Sequence, residues 1–364
     1  MAKAETKILF LAGSTDLNIE VLYCLYPVFR NIHVVANHND SVIKYSRYRK
    51  KFDFIHWSLI KGDQVKSVAE LQEYCRRHEI EVILPGDISA SGFMHKYKDA
   101  FADQKIFPTM SADELEKIDN KWLFGQELME AGLSTPKTIL IEDVEDIRDD
   151  RKQEIEEKIG FPLIVKPLFG EASHGIEKIN SFEGLKLYSE NKLCDDTLPV
   201  LLQTYIDGYD VGYSVLAENG EVKTKAVQLV ESEDVLEYCR HEGIEALGEK
   251  IVRLINYSGP ANFDMRIDYH TGEIYVIECN PRFWFTITSA MWQGLNFPEA
   301  AVNYAAGSDY KKTGAEGIIL APGLAIRNLL RKPWNYFSNS KSQRGSIWQP
   351  LRDPIPHLVK YFRS

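Results

Sequence analysis

Tyr275-Val276-Ile277-Glu278-Cys279-Asn280-Pro281-Arg282-Phe283 is the stretch on which the reading of this chain turns. Its alternating apolar residues, entered through Ile274, predict a strand. Glu278 and Asn280 lie two apart, so an extended backbone presents both on one face. Arg282 would follow them there if Pro281 did not bend the chain. A carboxylate, an amide oxygen and a guanidinium converging at a strand end suit a hard metal ion with a phosphate beside it. A solvated surface strand would carry the same residues, and these nine positions alone do not separate the two.

The sequence around it is that of an ordinary globular protein. At 364 residues, 44% hydrophobic and 26% charged, it is too long for one core and predicts two or three domains. Cys24, Cys75, Cys194, Cys239 and Cys279 are scattered and odd in number, which predicts reduced thiols and a cytoplasmic location. No stretch reads as a signal peptide or a membrane span. The net charge of −10 is uneven: eight Lys/Arg against Asp353 alone give 322–364 a charge of +7, leaving −17 on the rest. An acidic body argues against nucleic acid as a partner.

Working outward, Lys7–Gly13 and Ile32–Ala36 read as strands flanking a helix over 17–30. A further helix, 65–78, runs into Val82-Ile83-Leu84-Pro85-Gly86-Asp87. This alternation predicts a parallel, doubly wound α/β sheet over the first hundred residues. Lone Gly13 is no dinucleotide fingerprint. Asp87 and Ser89 follow a strand's carboxyl end, where such sheets place ligands, although an ordinary loop reads the same way. Ser111 and Glu114 form a capping box, and the helical run is expected to continue through Asn120 and Lys121 to Gly132. Strands are expected at 138–141, 163–166 and 200–206, helices near 144–158 and 181–191. Antiparallel strands follow at 211–217, 222–230 and 263–269, with turns at Asn219-Gly220 and Thr271-Gly272.

Asp264 precedes Glu278 by fourteen residues with a turn between, so a hairpin would return Glu278 and Asn280 beside it. Two carboxylates and an amide oxygen suit Mg²⁺ bridging phosphates better than zinc. Lys166 ends an apolar run, where an ammonium is costly to bury without an anionic partner. The glycine-bounded loop after it offers backbone N–H groups to phosphates. No G-x-S-x-G elbow and no P-loop lysine motif is present.

Five segments, in order over residues 1–310, together resemble the ATP-grasp ligases, specifically the carboxylate–amine group that includes the carbamoyl-phosphate synthetase large subunit and D-alanine–D-alanine ligase. They are Asp119-Asn120-Lys121 with Ala131–Thr138, Phe161–Pro167, Ser173–Ile176, Gln203–Asp210, and Asn262-Phe263-Asp264 with Glu278–Arg282. The resemblance implies an ATP-grasp fold, α+β in the ligase half, with a Rossmann-like N-terminal domain. The implied boundaries are 1–110 for that domain, 111–195 for a small ATP-grasp subdomain with the phosphate loop, 196–310 for a large subdomain with the metal site, and 311–364 for a basic, aromatic extension. It implies that Lys121, Lys166, Ser173 and Gly175 bind the phosphates of ATP. Gln203, Thr204 and Ile206 would line adenine, and Asp210 would hold the ribose. Asp264, Glu278 and Asn280 would ligate Mg²⁺, or Mn²⁺ in its place. Arg282, with Lys166, would act on the transferring phosphoryl group. Two departures stand out: Asn120 replaces an aspartate common in relatives, and the loop 170–175 has few glycines.

The implied reaction converts a small-molecule carboxylate to an acyl phosphate and joins it to an amine, releasing ADP and phosphate. Alternatives are an ATP-grasp carboxylase or thiol ligase, or a catalytically silent ATP-binding regulatory protein. Asp87, Ser89 and Phe283-Trp284-Phe285 are candidates for the acceptor pocket. Family members are often homodimers. The basic stretch, with Trp334, Phe337, Trp348 and Phe362, suits either membrane contact or packing onto the acidic body by charge and apolar contact; the second is the adopted expectation.

Overall fold

The computed structural model describes residues 4–13, 17–38, 41–57, 63–170, 175–232, 235–308, 310, 314–320, 348–349 and 351–363. Contacts divide the chain into two compact units, each assembled from separated stretches. Residues 1–115, 212–262 and 280–364 form one, and 116–211 with 263–279 form the other.

In the first unit, β1 (Lys7–Ala12), β2 (Asn31–Ala36), β3 (Lys51–Phe54), β4 (Val82–Pro85) and β5 (Lys105–Ile106) make a parallel sheet in the order β3-β2-β1-β4-β5. Residues 8–12 of β1 are buried without alternation, as expected for a strand covered on both faces. On one face lie α2 (Gln64–His78) and α3 (Ile88–Tyr97), sharing a core with Leu9, Leu11 and Ile83. On the other lies α1 (Leu17–Leu25), packed with Ile8, Phe10 and Val34 and with two helices from far along the chain, α9 (Ile287–Trp292) and α10 (Phe297–Ala305). The edge strand β3 had no readable signal, because Lys51-Phe52-Asp53-Phe54 is polar and only half-buried.

The capping box forms as expected, with Ser111 donating to the Glu114 carboxylate at 2.6 Å and the Glu114 amide donating back at 3.3 Å. The helix it opens does not continue to Gly132. It stops as α4 (Ala112–Asp119), and Asn120 caps a new helix, α5 (Lys121–Glu130), its side chain accepting from the amides of Trp122 and Leu123. Asparagine and aspartate cap equally well. The substitution at 120 therefore keeps the helix start while removing a charge. Gly132, at φ +69°, ends the run as expected.

The second unit holds an antiparallel sheet, β6 (Thr138–Ile141), β9 (Val200–Thr204), β7 (Leu163–Pro167) and β8 (Glu177–Ile179), in the order β6-β9-β7-β8. Two helices, α6 (Lys152–Lys158) and α7 (Phe182–Lys192), contribute Ile155, Phe182 and Leu185 to its core. A further sheet runs β14-β13-β10-β11-β12-β15, from β10 (Gly208–Glu218), β11 (Glu221–Ser232), β12 (Val235–Cys239), β13 (Gly259–Asp268), β14 (Ile274–Asn280) and β15 (Gly317–Leu320). Asn219 and Gly220, both at positive φ, make the tight turn between β10 and β11. Against β11 packs α8 (Glu242–Leu254).

One carboxyl in the first unit sets a pH dependence. Glu20, on α1, accepts a hydrogen bond from Thr288 at 2.9 Å, and burial pushes its pKa up to about 7. The native state therefore holds a proton that the unfolded chain releases above about pH 4.5, so stability is greatest below that value and falls as the pH rises through 7. We expect denaturant titrations to show wild type losing about 1–3 kcal/mol between pH 5 and 8, and Glu20→Gln losing clearly less over the same range. Equal losses in the two proteins would refute the assignment.

Candidate functional site

The centre of the second unit is Lys166, on β7 between Val165 and Pro167. The strand's antiparallel pairing sets Lys166 opposite Leu201. The residue is 2% exposed, and its ammonium has no hydrogen-bond partner among the described residues. Burial pushes its pKa down to about 8; Glu278 and Asp264 pull it up again, and Lys121 pushes it down. Both carboxylates and both lysines thus act on one point. Lys121 stands at the first position of α5, with its ammonium 3.5 Å from the Glu278 carboxylate and 3.2 Å from the Gly170 carbonyl. The Lys121 amide donates to the Leu168 carbonyl at 3.2 Å, tying the helix start to the chain that leaves β7. The helix break at Asn120 therefore positions a lysine, which a continuous helix would carry away.

The expected neighbour strands are in place. Asp264 lies on β13 and Glu278 on β14, adjacent in the sheet order, and Phe263 stacks on Phe124 of α5 with ring centroids 6.2 Å apart. Asn280 follows Glu278 by two residues at the end of β14. Among the described residues no group of three or more His, Cys, Asp or Glu side chains is arranged as a metal cage. The oxygen donors here are two carboxylates and one amide, a set that suits a cation completing its shell with ligand oxygens. Gly175 is exposed at φ +75°. Ser173 and the loop positions 171–174 lie outside the described residues.

The hinge segment after β9 is tied to its neighbours by hydrogen bonds within the protein. Gln203 is buried and donates to Thr138 at 3.0 Å across the β6–β9 pair. The Thr204 amide donates to the Lys137 carbonyl at 2.9 Å. The Ile206 carbonyl accepts from Arg266 at 2.7 Å, as does the Gly208 carbonyl at the same distance, and Arg266 also pairs with Asp210. Arg266 was not picked out from the sequence. It sits on β13 two residues after Asp264, and that spacing was the available signal. Gly208 is required for the close approach of this segment to β13: a Cβ there would lie 2.0 Å from the Ile267 carbonyl oxygen.

In the first unit Arg282 is buried at a bend just past Pro281. Its amide bonds to the Asn280 carbonyl at 2.8 Å, and its guanidinium to the Asn280 side chain at 3.2 Å and the Phe283 carbonyl at 3.0 Å. Asp87 caps α3, accepting from the Ala90 amide at 2.9 Å. Burial pushes the Asp87 carboxyl up, while the Ala90 amide, Arg282 and Asn18 pull it back. A Cβ on Gly13 would fall 1.4 Å from an Asp87 carboxylate oxygen, so that glycine makes room for an acid. Of the aromatic run assigned to an acceptor pocket, Phe283 and Trp284 belong to the core with Ile287 and Phe297, and Phe285 alone is exposed. The pocket expectation fails for those two because their burial fastens α9 and α10 to the sheet. Ser89 is exposed at the start of α3.

Comparisons with known proteins agree on the neighbourhood. A family model described as the D-ala D-ala ligase C-terminus matches residues 128–242, and one described as ATP-grasp in the biosynthetic pathway with Ter operon matches 196–321. The carbamoyl phosphate synthase large chain of Caldanaerobacter subterraneus is 25% identical over 237 residues. That match spans 58% of this chain and about a fifth (21%) of the relative. The biotin carboxylase domain of Hydrogenobacter thermophilus 2-oxoglutarate carboxylase, solved with MgADP and bicarbonate, superposes with a TM-score of 0.61 at 18% identity, over 86% of this chain and 73% of that one. The L-amino acid ligase of Bacillus licheniformis gives 0.59 at 16%, over 84% and 75%. At these identities the structural likeness speaks for the fold.

The Arg266 clamp makes a prediction that needs no ligand. Arg266→Ala should lower stability by about 2–3 kcal/mol in urea titrations, since two carbonyls lose a charged donor. Asp210→Asn should change it by less than about 1 kcal/mol, because that pair is exposed. Equal effects would show that the ion pair, and not the carbonyl contacts, holds the segment.

Proposed function

We propose that this chain, which has the ATP-grasp fold and resembles its carboxylate–amine ligase group, activates a carboxylate with Mg²⁺ and ATP and joins it to an amine. The observation that carries this reading is the buried Lys166 ammonium, without a hydrogen-bond partner among the described residues, facing Asp264 and Glu278 beside Lys121. Two lysines and two carboxylates balance. A polyphosphate entering alone would load the group with its full negative charge, and a divalent cation arriving with it would offset part of that charge.

In this reading Lys121 and Lys166 hold phosphate oxygens, and the loop through Ser173 and Gly175 closes over them. Gln203, Thr204 and Ile206 face adenine. Because the Thr204 amide and the Ile206 carbonyl are already bonded within the protein, the Thr204 carbonyl and Ile206 amide would read the base. Asp210, steadied by Arg266, takes the ribose hydroxyls. Asp264, Glu278 and Asn280 would hold Mg²⁺, or Mn²⁺, which when bound offsets the charge on the phosphate oxygens. Lys166 and Arg282 then stabilise the transferring phosphoryl group as a substrate carboxylate oxygen attacks it and ADP departs. The amine attacks the acyl carbon, phosphate leaves, and an amide remains. Water must be kept from the acyl phosphate throughout, which a closing loop accomplishes. A carboxylase reading, in which bicarbonate is the carboxylate activated, draws on the structural neighbour solved with bicarbonate.

A screen for ADP release against amino acids and small carboxylates, with and without bicarbonate, tests both. Release that requires a carboxylate and an amine supports the ligase; release that requires bicarbonate supports the carboxylase. ATP binding with no release under any pair would sink both. Glu278→Gln should lower turnover at least about 100-fold with the fold intact. Lys166→Met should weaken ATP binding about 10- to 100-fold while changing stability by less than about 2 kcal/mol, since the variant removes a costly burial and a countercharge to Asp264 and Glu278 together. A destabilised Lys166→Met with normal ATP affinity would make that lysine structural.

A further inference from the structure

The β7–β9 register sets Leu163 opposite Thr204, and it runs on for one more pair, because the Tyr205 amide donates to the Pro162 carbonyl at 3.3 Å. Along an extended chain the backbone groups of successive residues face opposite edges. Tyr205 therefore spends its amide on β7, while Thr204 and Ile206 face the other edge, where the Thr204 amide meets the Lys137 carbonyl at 2.9 Å. The Thr204 carbonyl, the Ile206 amide and the Ile206 carbonyl follow one another along that edge. The third of these already holds a donor. Arg266 gives Nε to the Ile206 carbonyl at 2.7 Å, Nη2 to the Gly208 carbonyl at 2.7 Å and Nη1 to Asp210. Its guanidinium also lies over the Tyr205 ring, 5.5 Å from the centroid, and the Lys178 ammonium lies 3.4 Å from the same centroid. Three acceptors and a ring face together fix the orientation of the planar fork.

We propose that Arg266 makes this site select purines that carry no amino group at C2. The inference rests on the nucleotide reading above, in which the Thr204 carbonyl takes the N6 amino group of adenine and the Ile206 amide bonds N1. In that register the next position on the base is C2, and it faces the Ile206 carbonyl. An open carbonyl there would accept from a 2-amino group and strengthen binding. A carbonyl that already holds a cationic donor does not: the 2-amino hydrogens meet the N–H edge of the guanidinium and lose the bonds they had in water. The C2–H of adenine has no such bond to lose. Guanine is rejected by the backbone alone, since its O6 and N1–H reverse the first two contacts. Discrimination at C2 is what the arginine adds.

The test titrates the full chain, in the presence of Mg²⁺, with ATP and with 2,6-diaminopurine riboside triphosphate, which differs from ATP by the 2-amino group alone. Wild type is expected to bind ATP at least about 10-fold tighter than the analogue. In Arg266→Met that ratio should fall to about 1 or reverse. Asp210→Asn, which keeps both carbonyl contacts, should weaken the two ligands together and keep the wild-type ratio. An arginine that served only to fasten the segment would change both affinities without moving their ratio. The inference is overturned if wild type binds the analogue as tightly as ATP, or if the ratio in Arg266→Met is that of wild type. The wild-type arm needs no variant, so it decides even where Arg266→Met folds poorly. Binding of neither nucleotide by wild type would instead refute the nucleotide reading, and this inference with it.

Discussion

The second unit is arranged around an ammonium group that it does not satisfy. A lysine two residues into the buried part of an antiparallel strand, with no hydrogen-bond partner among the described residues, is an expensive feature in a folded chain. What surrounds it makes the cost tolerable. Asp264 and Glu278 supply opposite charge from two adjacent strands, and Lys121 pairs with Glu278 from the start of a helix that would not begin there without Asn120. Each supporting element has a sequence cause: a turn at Thr271-Gly272, a cap at Asn120, a glycine at 208 that lets β10 approach β13.

Much of this was legible in the residues, for a physical reason. Apolar runs bounded by glycine, proline and asparagine report strand and turn directly, so β1, β6, β7 and β9 stand where the pattern placed them. Capping chemistry is equally local, and Ser111, Ser181 and Gly132 behave as read. The failures are tertiary. The break at Asn120 falls inside an unbroken helical pattern, and asparagine in a helix interior gives a weak signal beside the lysine it positions. Arg266 looks like any exposed base on a strand until the carbonyls of Ile206 and Gly208 are brought to it from sixty residues away. Phe283-Trp284-Phe285 followed a candidate site and so resembled pocket lining, yet two of the three are core. Periodicity reports what a residue's own element needs; it does not report what arrives from elsewhere.

Four largely enclosed ionisable groups differ in how fully the chain itself meets their hydrogen bonds. Asp353 is as deeply buried as Lys166, but a hydroxyl, an amide and a phenol bond to it, and it fastens a helix. Asp87 spends its carboxylate on the Ala90 amide and answers the charge of Arg282. Glu20 has Thr288 and is held near neutrality by its surroundings. In each of these, the chain itself closes the hydrogen bonds, and the group works as a fastening. Lys166 has countercharges but no hydrogen-bond acceptor among the described residues, which is what the proposed role in holding phosphate oxygens rests on. Burial alone would have ranked Asp353 and Lys166 together. Satisfaction separates them, and it does so without any appeal to resemblance.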